Sequence, residues 1–279
     1  MVISKEKENF YINILIKSKE NIILKTENLS IGYQSKKAKT IVAAGINLSL
    51  KKGQLITVLG KNGIGKSTLL RTIAKVQHPI SGNVFLNDKN LHDYTNRELA
   101  TKLSLVLTDR LPESQLTVFE LIALGRQPYT NWIDKLTKED IEKVNIAIHQ
   151  TEIQHLKNKR FYELSDGQSQ RVLIARALAQ DTEIMILDEP TAHLDLHHTI
   201  QIFKLLKKLV SKTSKTIILS SHQVNLSINF SNYILLFTDN NLHSGIPNEL
   251  ITKGHFDNLF PKETVNFNRE LQQFIINNQ

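Results

Sequence analysis

Leu55-Ile56-Thr57-Val58-Leu59-Gly60-Lys61-Asn62-Gly63-Ile64-Gly65-Lys66-Ser67-Thr68 reads as a buried strand, a glycine-rich turn and the first residues of a helix. The run from Leu55 to Leu59 lacks apolar/polar alternation, which suits a strand covered on both faces of a parallel sheet. Leu69, Leu70, Ile73 and Ala74 continue the stretch at helical spacing. Residues 60 to 68 fit G-x-x-x-x-G-K-[ST], and the chemistry of phosphate binding needs each part. Glycines admit positive φ, so successive N–H groups converge on phosphate oxygens. The helix that starts at Lys66 aims its positive end at the same anion. Lys66 is expected to reach the β- and γ-phosphates, and the Ser67 hydroxyl to complete the shell of a Mg²⁺ ion.

Working outward, continuous apolar runs recur at Ile184 to Leu187, Thr216 to Leu219 and Tyr233 to Phe237. Between them lie helical faces, Val172, Ala175, Leu178 and Ala179 in one and Phe203, Leu206 and Val210 in another. Strand and helix in alternation predict parallel βαβ units. Upstream, Ile22 to Leu24 reads as a short strand, and Ile46, Leu48 and Leu50 alternate at period two, the pattern of half-exposed antiparallel strands. After one candidate strand, Leu103 to Leu107, only helices are expected, at Val118 to Leu124 and on the face Ile141, Val144 and Ile148. The fold class is therefore α/β: a P-loop core with a mainly parallel sheet, an antiparallel β edge and an inserted helical subdomain. The core is assigned to 21–109 and 183–260 and the helical subdomain to 110–182. The N-terminal extension, 1–20, carries Ile12, Ile14 and Ile16 in alternation, and like the tail, 261–279, it receives no role.

Composition narrows the classes. The chain has 279 residues, 41% of them hydrophobic, enough for a sizeable core. With Cys at 0, a disulfide framework, zinc ribbon, iron–sulfur site or cysteine nucleophile is excluded. No apolar run approaches the ~18 residues that span a bilayer. Glu6, Glu8 and Glu20 among the lysines of the first 20 residues argue against a secretory signal. The net charge of +8 permits nucleic acid, anionic lipid or nucleotide as partner and selects none, because the lysines are scattered along the chain.

A phosphate loop needs a carboxylate for its metal, and Ile184-Met185-Ile186-Leu187-Asp188-Glu189 ends a buried strand on two acids, where open α/β sheets place their ligands. Asp188 is expected to hold Mg²⁺ through water, and Glu189 to orient or deprotonate the water that attacks the γ-phosphate. Leu164-Ser165-Asp166-Gly167-Gln168 opens the helix that carries Val172 and Leu178, so Ser165 and the Gly167 amide can form an anion-binding helix start. By itself that pattern is an ordinary cap. Ser220-Ser221-His222 ends another buried strand, where an isolated histidine is more often a satisfied core residue than a catalytic one.

Taken together, these residues resemble the nucleotide-binding subunit of an ABC transporter, over about 22 to 260. The loop at 60 to 68, the signature-like 164 to 168, the Asp188-Glu189 strand end, the Ala192-His193-Leu194-Asp195 turn and His222 stand in the family's order and spacing. The resemblance implies an ATPase that uses ATP and Mg²⁺ in a head-to-tail homodimer. Asn62, Gly63, Gly65, Lys66, Ser67 and Thr68 would hold the phosphates, and Tyr33 would stack on adenine. Ser165, Gly167 and Gln168 would face the γ-phosphate bound by the other subunit. His222 would contact that phosphate and steady Glu189, and Asp195 would pass between subunits. Thr117-Val118-Phe119-Glu120-Leu121 with Gly125-Arg126-Gln127-Pro128-Tyr129 resembles the helical region of subunits that drive import of iron–siderophore, haem and cobalamin complexes. That implies an integral membrane permease as partner, an extracytoplasmic substrate-binding protein acting indirectly, a peripheral place on the cytoplasmic face of the membrane, and no nucleic acid.

Three positions depart from the family. Leu107-Thr108-Asp109 stands where a glutamine normally bridges Mg²⁺ and the helical subdomain; the Thr108 hydroxyl offers the metal or its water a shorter reach. Asp166 replaces the second signature glycine and is expected to point away from ATP as a helix-start acid. Gln223 follows His222 where an acid is common. Two other readings stay open at this point: a soluble ABC ATPase acting on nucleic acid or ribosomes, and a binding or regulatory subunit with little hydrolysis.

Overall fold

The computed structural model describes residues 21–34, 38–108, 114–130, 135–238, 241–257, 259–260 and 265–276. The alternating isoleucines at 12, 14 and 16 and the departure at Asp109 lie outside them. An antiparallel sheet is built from β1 (Ile22–Gln34), β2 (Lys39–Lys51), β4 (Ser81–Leu86) and β5 (Lys89–Asn90), in the order β2-β1-β4-β5. The second sheet contains β3 (Leu55–Leu59), β6 (Leu103–Val106), β7 (Ile184–Leu187), β8 (Thr216–Ser221), β9 (Tyr233–Phe237) and β10 (Leu242–Gly245). Its order is β10-β9-β3-β8-β7-β6, parallel except for β10. Both expected sheet types are present, with the phosphate-loop strand near the centre.

Every residue of β3, β7 and β8 is buried, and the two faces divide by alternation. Leu55, Met185, Leu187 and Ile217 face one apolar cluster, with Val172 of α5 (Asp166–Ala179) and Phe203 of α6 (Leu196–Thr213). Ile56, Val58, Ile186 and Ile218 face the other, with Leu69 and Ile73 of α1 (Lys66–Ile73) and the inner side of the antiparallel sheet. The continuous apolar runs thus arise because each parallel strand is covered by helices on one side and by helix plus sheet on the other.

β1 is 13 residues long, where the apolar run suggested only 22 to 24. Its pattern is hidden because Thr26 is buried by hydrogen bonding, its hydroxyl donating to the Ile46 carbonyl at 2.9 Å and accepting from Leu48 N at 3.0 Å. Register shifts near Thr26 and Leu29 also break the period-two signal.

The remaining helices are α2 (Asn96–Ala100), α3 (Val118–Ala123), α4 (Lys138–Gln150), α7 (Val224–Phe230) and α8 (Pro247–Thr252). Thr117, Thr137 and Ser165 start α3, α4 and α5 with capping boxes, each side-chain oxygen taking a backbone N–H that the helix leaves orphaned. On α4 the expected apolar face shifts: Val144, Ala147 and Ile148 are buried, whereas Ile141 is 41% exposed. A polar group takes the inner place one residue earlier, where Asp140 pairs with Arg126 at 2.8 Å, each side chain 4% exposed. Arg126 also donates to the Ala179 carbonyl at 2.9 Å and stacks over the Tyr129 ring at 4.0 Å, tying the start of α4 to the end of α5.

Near the C-terminus, β11 (Val265–Asn268) and β12 (Gln273–Ile276) pair as an antiparallel hairpin. Phe267 and Phe274 pack with Phe256 and Phe260, and Phe274 N donates to Asn225 Oδ1 on α7 at 3.0 Å. Among the described residues no helix is long and apolar enough to cross a membrane.

Candidate nucleotide site

The loop after β3 turns through left-handed backbone at Gly63 (φ +78°) and Gly65 (φ +115°). A side chain at Gly65 would also have to begin 2.4 Å from Val42 Cγ1, so β2 presses on the loop where α1 starts. Asn62 and Gly63 form the exposed crest, and Gly65, Lys66 and Thr68 are buried beneath it.

Lys66 has a side chain only 3% exposed, and an ionised amine cannot stay buried without partners. Its Nζ donates to the carbonyls of Gly60 at 3.0 Å and Lys61 at 3.2 Å, and lies 3.5 Å from Glu189 Oε1. One residue on, the Ser67 hydroxyl donates to Asp188 Oδ1 at 2.8 Å. Asp188 and Glu189 arrive there because β7 runs parallel beside β8, whose end stands next to the loop strand β3.

Ser220 on β8 links the two acids. Its hydroxyl donates to Asp188 Oδ1 at 2.7 Å and accepts the Glu189 N–H at 2.8 Å. Glu189 adopts φ +46°, a conformation most L-residues avoid, which sends consecutive acidic side chains to different partners, Asp188 to Ser67 and Glu189 to Lys66. Ser220 is a site residue that the sequence reading passed over. Its signal in the sequence is a hydroxyl at the end of a buried strand, two residues before His222.

Asp188 is 1% exposed, and its Oδ2 is buried without a hydrogen-bond partner. An oxygen with unmet acceptor capacity beside the Ser67 hydroxyl fits a hard divalent cation, which takes oxygen ligands and carries its own water. The loop amides and Lys66 suit the phosphates that such a cation would accompany. Thr108 closes the site differently from expectation: its hydroxyl donates to the backbone carbonyl of Asp188 at 2.9 Å, bracing the strand end.

At the margins, Tyr33 lies within β1, 57% exposed, with its hydroxyl 3.0 Å from Thr68 Oγ1. It is an exposed ring anchored to the start of α1, not the core residue an aromatic at a strand usually is. His222 is likewise exposed, two residues beyond Ser220, with Nε2 3.2 Å from Gln223 Nε2.

The other expected residues gather in a second constellation. Ser165, exposed, caps α5 by accepting from Gln168 N at 3.4 Å, and its own N–H donates to Gln168 Oε1 at 3.2 Å. Asp195 caps α6, accepting from the His198 backbone at 2.8 Å and lying 2.9 Å from His198 Nδ1 through both oxygens. Those bonds hold the Asp195 carboxyl below the ordinary carboxylate range. The buried Gly167 lies against the His198 ring. Thr108, Asp166, Gln170 and Glu189 line one cleft, which thus holds residues next to both constellations.

Comparison with known proteins agrees with this geometry. The family profile described as ABC transporter matches residues 43–192. The iron(3+)-hydroxamate import ATP-binding protein FhuC of Bacillus subtilis is 36% identical, over 76% of this chain and 77% of its own. The ferric enterobactin transport ATP-binding protein FepC of Escherichia coli is 34% identical, over 82% of this chain and 83% of its own. Among solved structures, the dimeric MJ0796, a bacterial ABC transporter cassette, superposes with a TM-score of 0.69 at 27% identity, covering 81% of this chain and 99% of that one. Phosphate loop, paired acids and two-sheet core thus coincide with the family match: the chain belongs to the ABC transporter family, as an ATP-binding subunit whose work is ATP hydrolysis.

Proposed function

We propose that two copies of this chain close head to tail around two ATP molecules, and that the closure drives a membrane permease that imports a ferric siderophore or a related metal chelate such as haem or cobalamin. The observation that carries the reading is the convergence of Lys66, Ser67, Asp188 and Glu189 in one buried site, while the capped helix start at Ser165 stays exposed. The first set suits one face of a triphosphate. The second suits the opposite face of a triphosphate held by another copy.

In this reading Asn62, Gly63, Gly65 and Thr68 surround the phosphates, and Tyr33 lies over the adenine. Lys66 exchanges its contacts with the loop carbonyls and Glu189 for the β- and γ-phosphates. Glu189, released from Lys66, takes the proton of the attacking water, with His222 steadying the γ-phosphate. Ser67 and Asp188 would hold Mg²⁺, which supplies charge neutralisation across the phosphates when bound. Thr108 contributes by fixing the Asp188 backbone. ATP binding across the interface does the mechanical work, and hydrolysis resets it.

The division into a core of 21–109 and 183–260 and a helical subdomain of 110–182 belongs to the same proposal, with the helical part offering the permease its groove. The chain would then sit on the cytoplasmic face of the membrane, and an extracytoplasmic binding protein would deliver the chelate to the permease. The substrate class rests on the names of relatives such as FhuC and FepC together with the Gly125–Tyr129 segment. The test is uptake of ⁵⁵Fe-siderophore, presented on the outside with its binding protein, into proteoliposomes holding the permease and this chain with internal ATP. ATP-dependent uptake that disappears with Glu189→Gln is expected. ATPase activity stimulated by nucleic acid, with no iron uptake, would replace this reading with a nucleic-acid-linked one.

A further inference from the structure

We infer that His198 is a positioning residue that locks the Asp195 turn to the start of α5, so that both reach the nucleotide of the neighbouring subunit as one unit. The inference rests on the dimer reading above.

The imidazole makes two different contacts. Its Nδ1 lies 2.9 Å from both carboxylate oxygens of Asp195, and its backbone N–H donates to the same carboxylate at 2.8 Å. The opposite edge of the ring rests on Gly167: a methyl group built there would lie 2.7 Å from Cδ2 and 3.2 Å from Cγ. Gly167 therefore has a steric reason to be glycine within its own protomer. A side chain there would push the ring away from Asp195.

One turn along both helices a second contact keeps the same register. Arg171, four residues after Gly167, donates to Gln201 Oε1 at 3.0 Å, three residues after His198, and its other nitrogen donates to the Thr151 carbonyl at 3.2 Å. Residues spaced by three or four share a helix face, so the 167/198 and 171/201 pairs form a two-rung ladder between α5 and α6. Only the rung at His198 touches two residues assigned to the neighbouring nucleotide, and its ring cannot turn without giving up one of them.

The test separates the two contacts. His198→Asn keeps a donor near the Nδ1 position and removes the ring from Gly167; His198→Phe keeps the ring and removes the donor. In a Glu189→Gln background, light scattering reads the ATP-driven dimer. His198→Ala, His198→Asn and His198→Phe should each weaken dimerisation about tenfold, while fluorescent-ATP binding to the dilute protomer changes less than about twofold. Full dimerisation in the Asn variant would reduce the role to capping, and in the Phe variant to packing; either overturns the coupling.

Thermal unfolding of the nucleotide-free chain tests the ring contact without any dimer. Gly167→Ala should lower the midpoint by several degrees, and His198→Ala should relieve at least half of that loss. No relief overturns the contact. If Glu189→Gln forms no ATP-driven dimer, the dimer reading fails, and the melts alone decide whether His198 bears on Gly167.

Discussion

Lys66 Nζ stands 3.5 Å from Glu189 Oε1 in a site where the lysine side chain is almost completely enclosed. The pair sets the nucleotide-free arrangement of the site: the lysine proposed to meet phosphate is held by the carboxylate proposed to activate water. In the proposed function, nucleotide binding exchanges one partner of Lys66 for another, and the exchange frees the carboxylate to act on water.

Glu189→Gln removes both the proposed base and the ionic hold on Lys66. Turnover is expected to fall at least about 100-fold, the scale of lost general-base catalysis, while ATP binds as tightly or more tightly. Steady-state ATPase assays and ATP titration check both parts. Undiminished turnover would remove Glu189 from its role.

Ser220→Ala leaves Asp188 Oδ1 with Ser67 as its remaining donor and takes the acceptor from the Glu189 N–H. Leaving an enclosed N–H unpaired costs about 1–3 kcal/mol, so the melting midpoint should drop. Turnover should fall about tenfold as the two acids lose their fixed separation, a loss of about 1.4 kcal/mol in transition-state stabilisation. A variant that melts early and hydrolyses at the full rate at low temperature would confine Ser220 to the fold.

Gly65→Ala should abolish nucleotide binding at concentrations that saturate the parent chain. The position needs φ +115°, and the added methyl would meet Val42 at 2.4 Å. Val42→Ala, which relieves only the contact, should restore binding in part, leaving it about 5–30-fold weaker than in the parent chain because the backbone strain of about 1–2 kcal/mol remains. Isothermal titration with ATP distinguishes the two contributions.

Arg126→Met strands the Asp140 carboxylate in an enclosed site, and breaking such a pair costs about 3–5 kcal/mol, visible in denaturant unfolding. Loss of less than about 1 kcal/mol would contradict the structural weight given to the pair.

Acid should weaken the same region. Burial opposes ionisation of Asp140, yet the bonds from Thr137 and Arg126 outweigh it and hold the carboxyl below its ordinary value. Burial also opposes ionisation of Asp181, and Lys143 and Lys215 outweigh it, bringing that carboxyl down to about 2. Both groups bind protons less readily when folded, so their stabilisation is complete above the ordinary carboxylate value and is lost as pH falls below it, for Asp181 as pH falls toward about 2. Asp181→Asn should flatten the decline of the melting midpoint across that window.

Much of this architecture could be read from residue pattern. The runs at 55, 184, 216 and 233 became the parallel strands, because burial on two faces leaves a continuous apolar signature. The helix after the phosphate loop and the capped start at Ser165 follow from local rules of glycine and side-chain oxygen placement. Three features escaped. The length of β1 was concealed by Thr26, whose burial depends on partners on β2. Ile141 shares the helix face read at Val144 and Ile148 yet is exposed, because periodicity cannot foresee that a buried ion pair takes the inner position at Asp140. The aromatic cluster of the C-terminal hairpin joins Phe256, Phe260, Phe267 and Phe274, whose spacing along the chain is not the period two of a strand. Within the site, Lys66, Ser67, Asp188 and Glu189 converge, whereas Ser220 and His198 become visible only when strand and helix ends are brought together in space.

The shared reaction centre is tested most directly by mixing two disabled chains, Lys66→Ala and Ser165→Ala. Each alone should be nearly inactive. In a mixed head-to-tail pair one site regains an intact Lys66 facing an intact Ser165, so random mixing should restore about a quarter of parental ATPase activity. Activity no greater than the sum of the separate variants, or full turnover by Ser165→Ala alone, would contradict a site completed by a second copy.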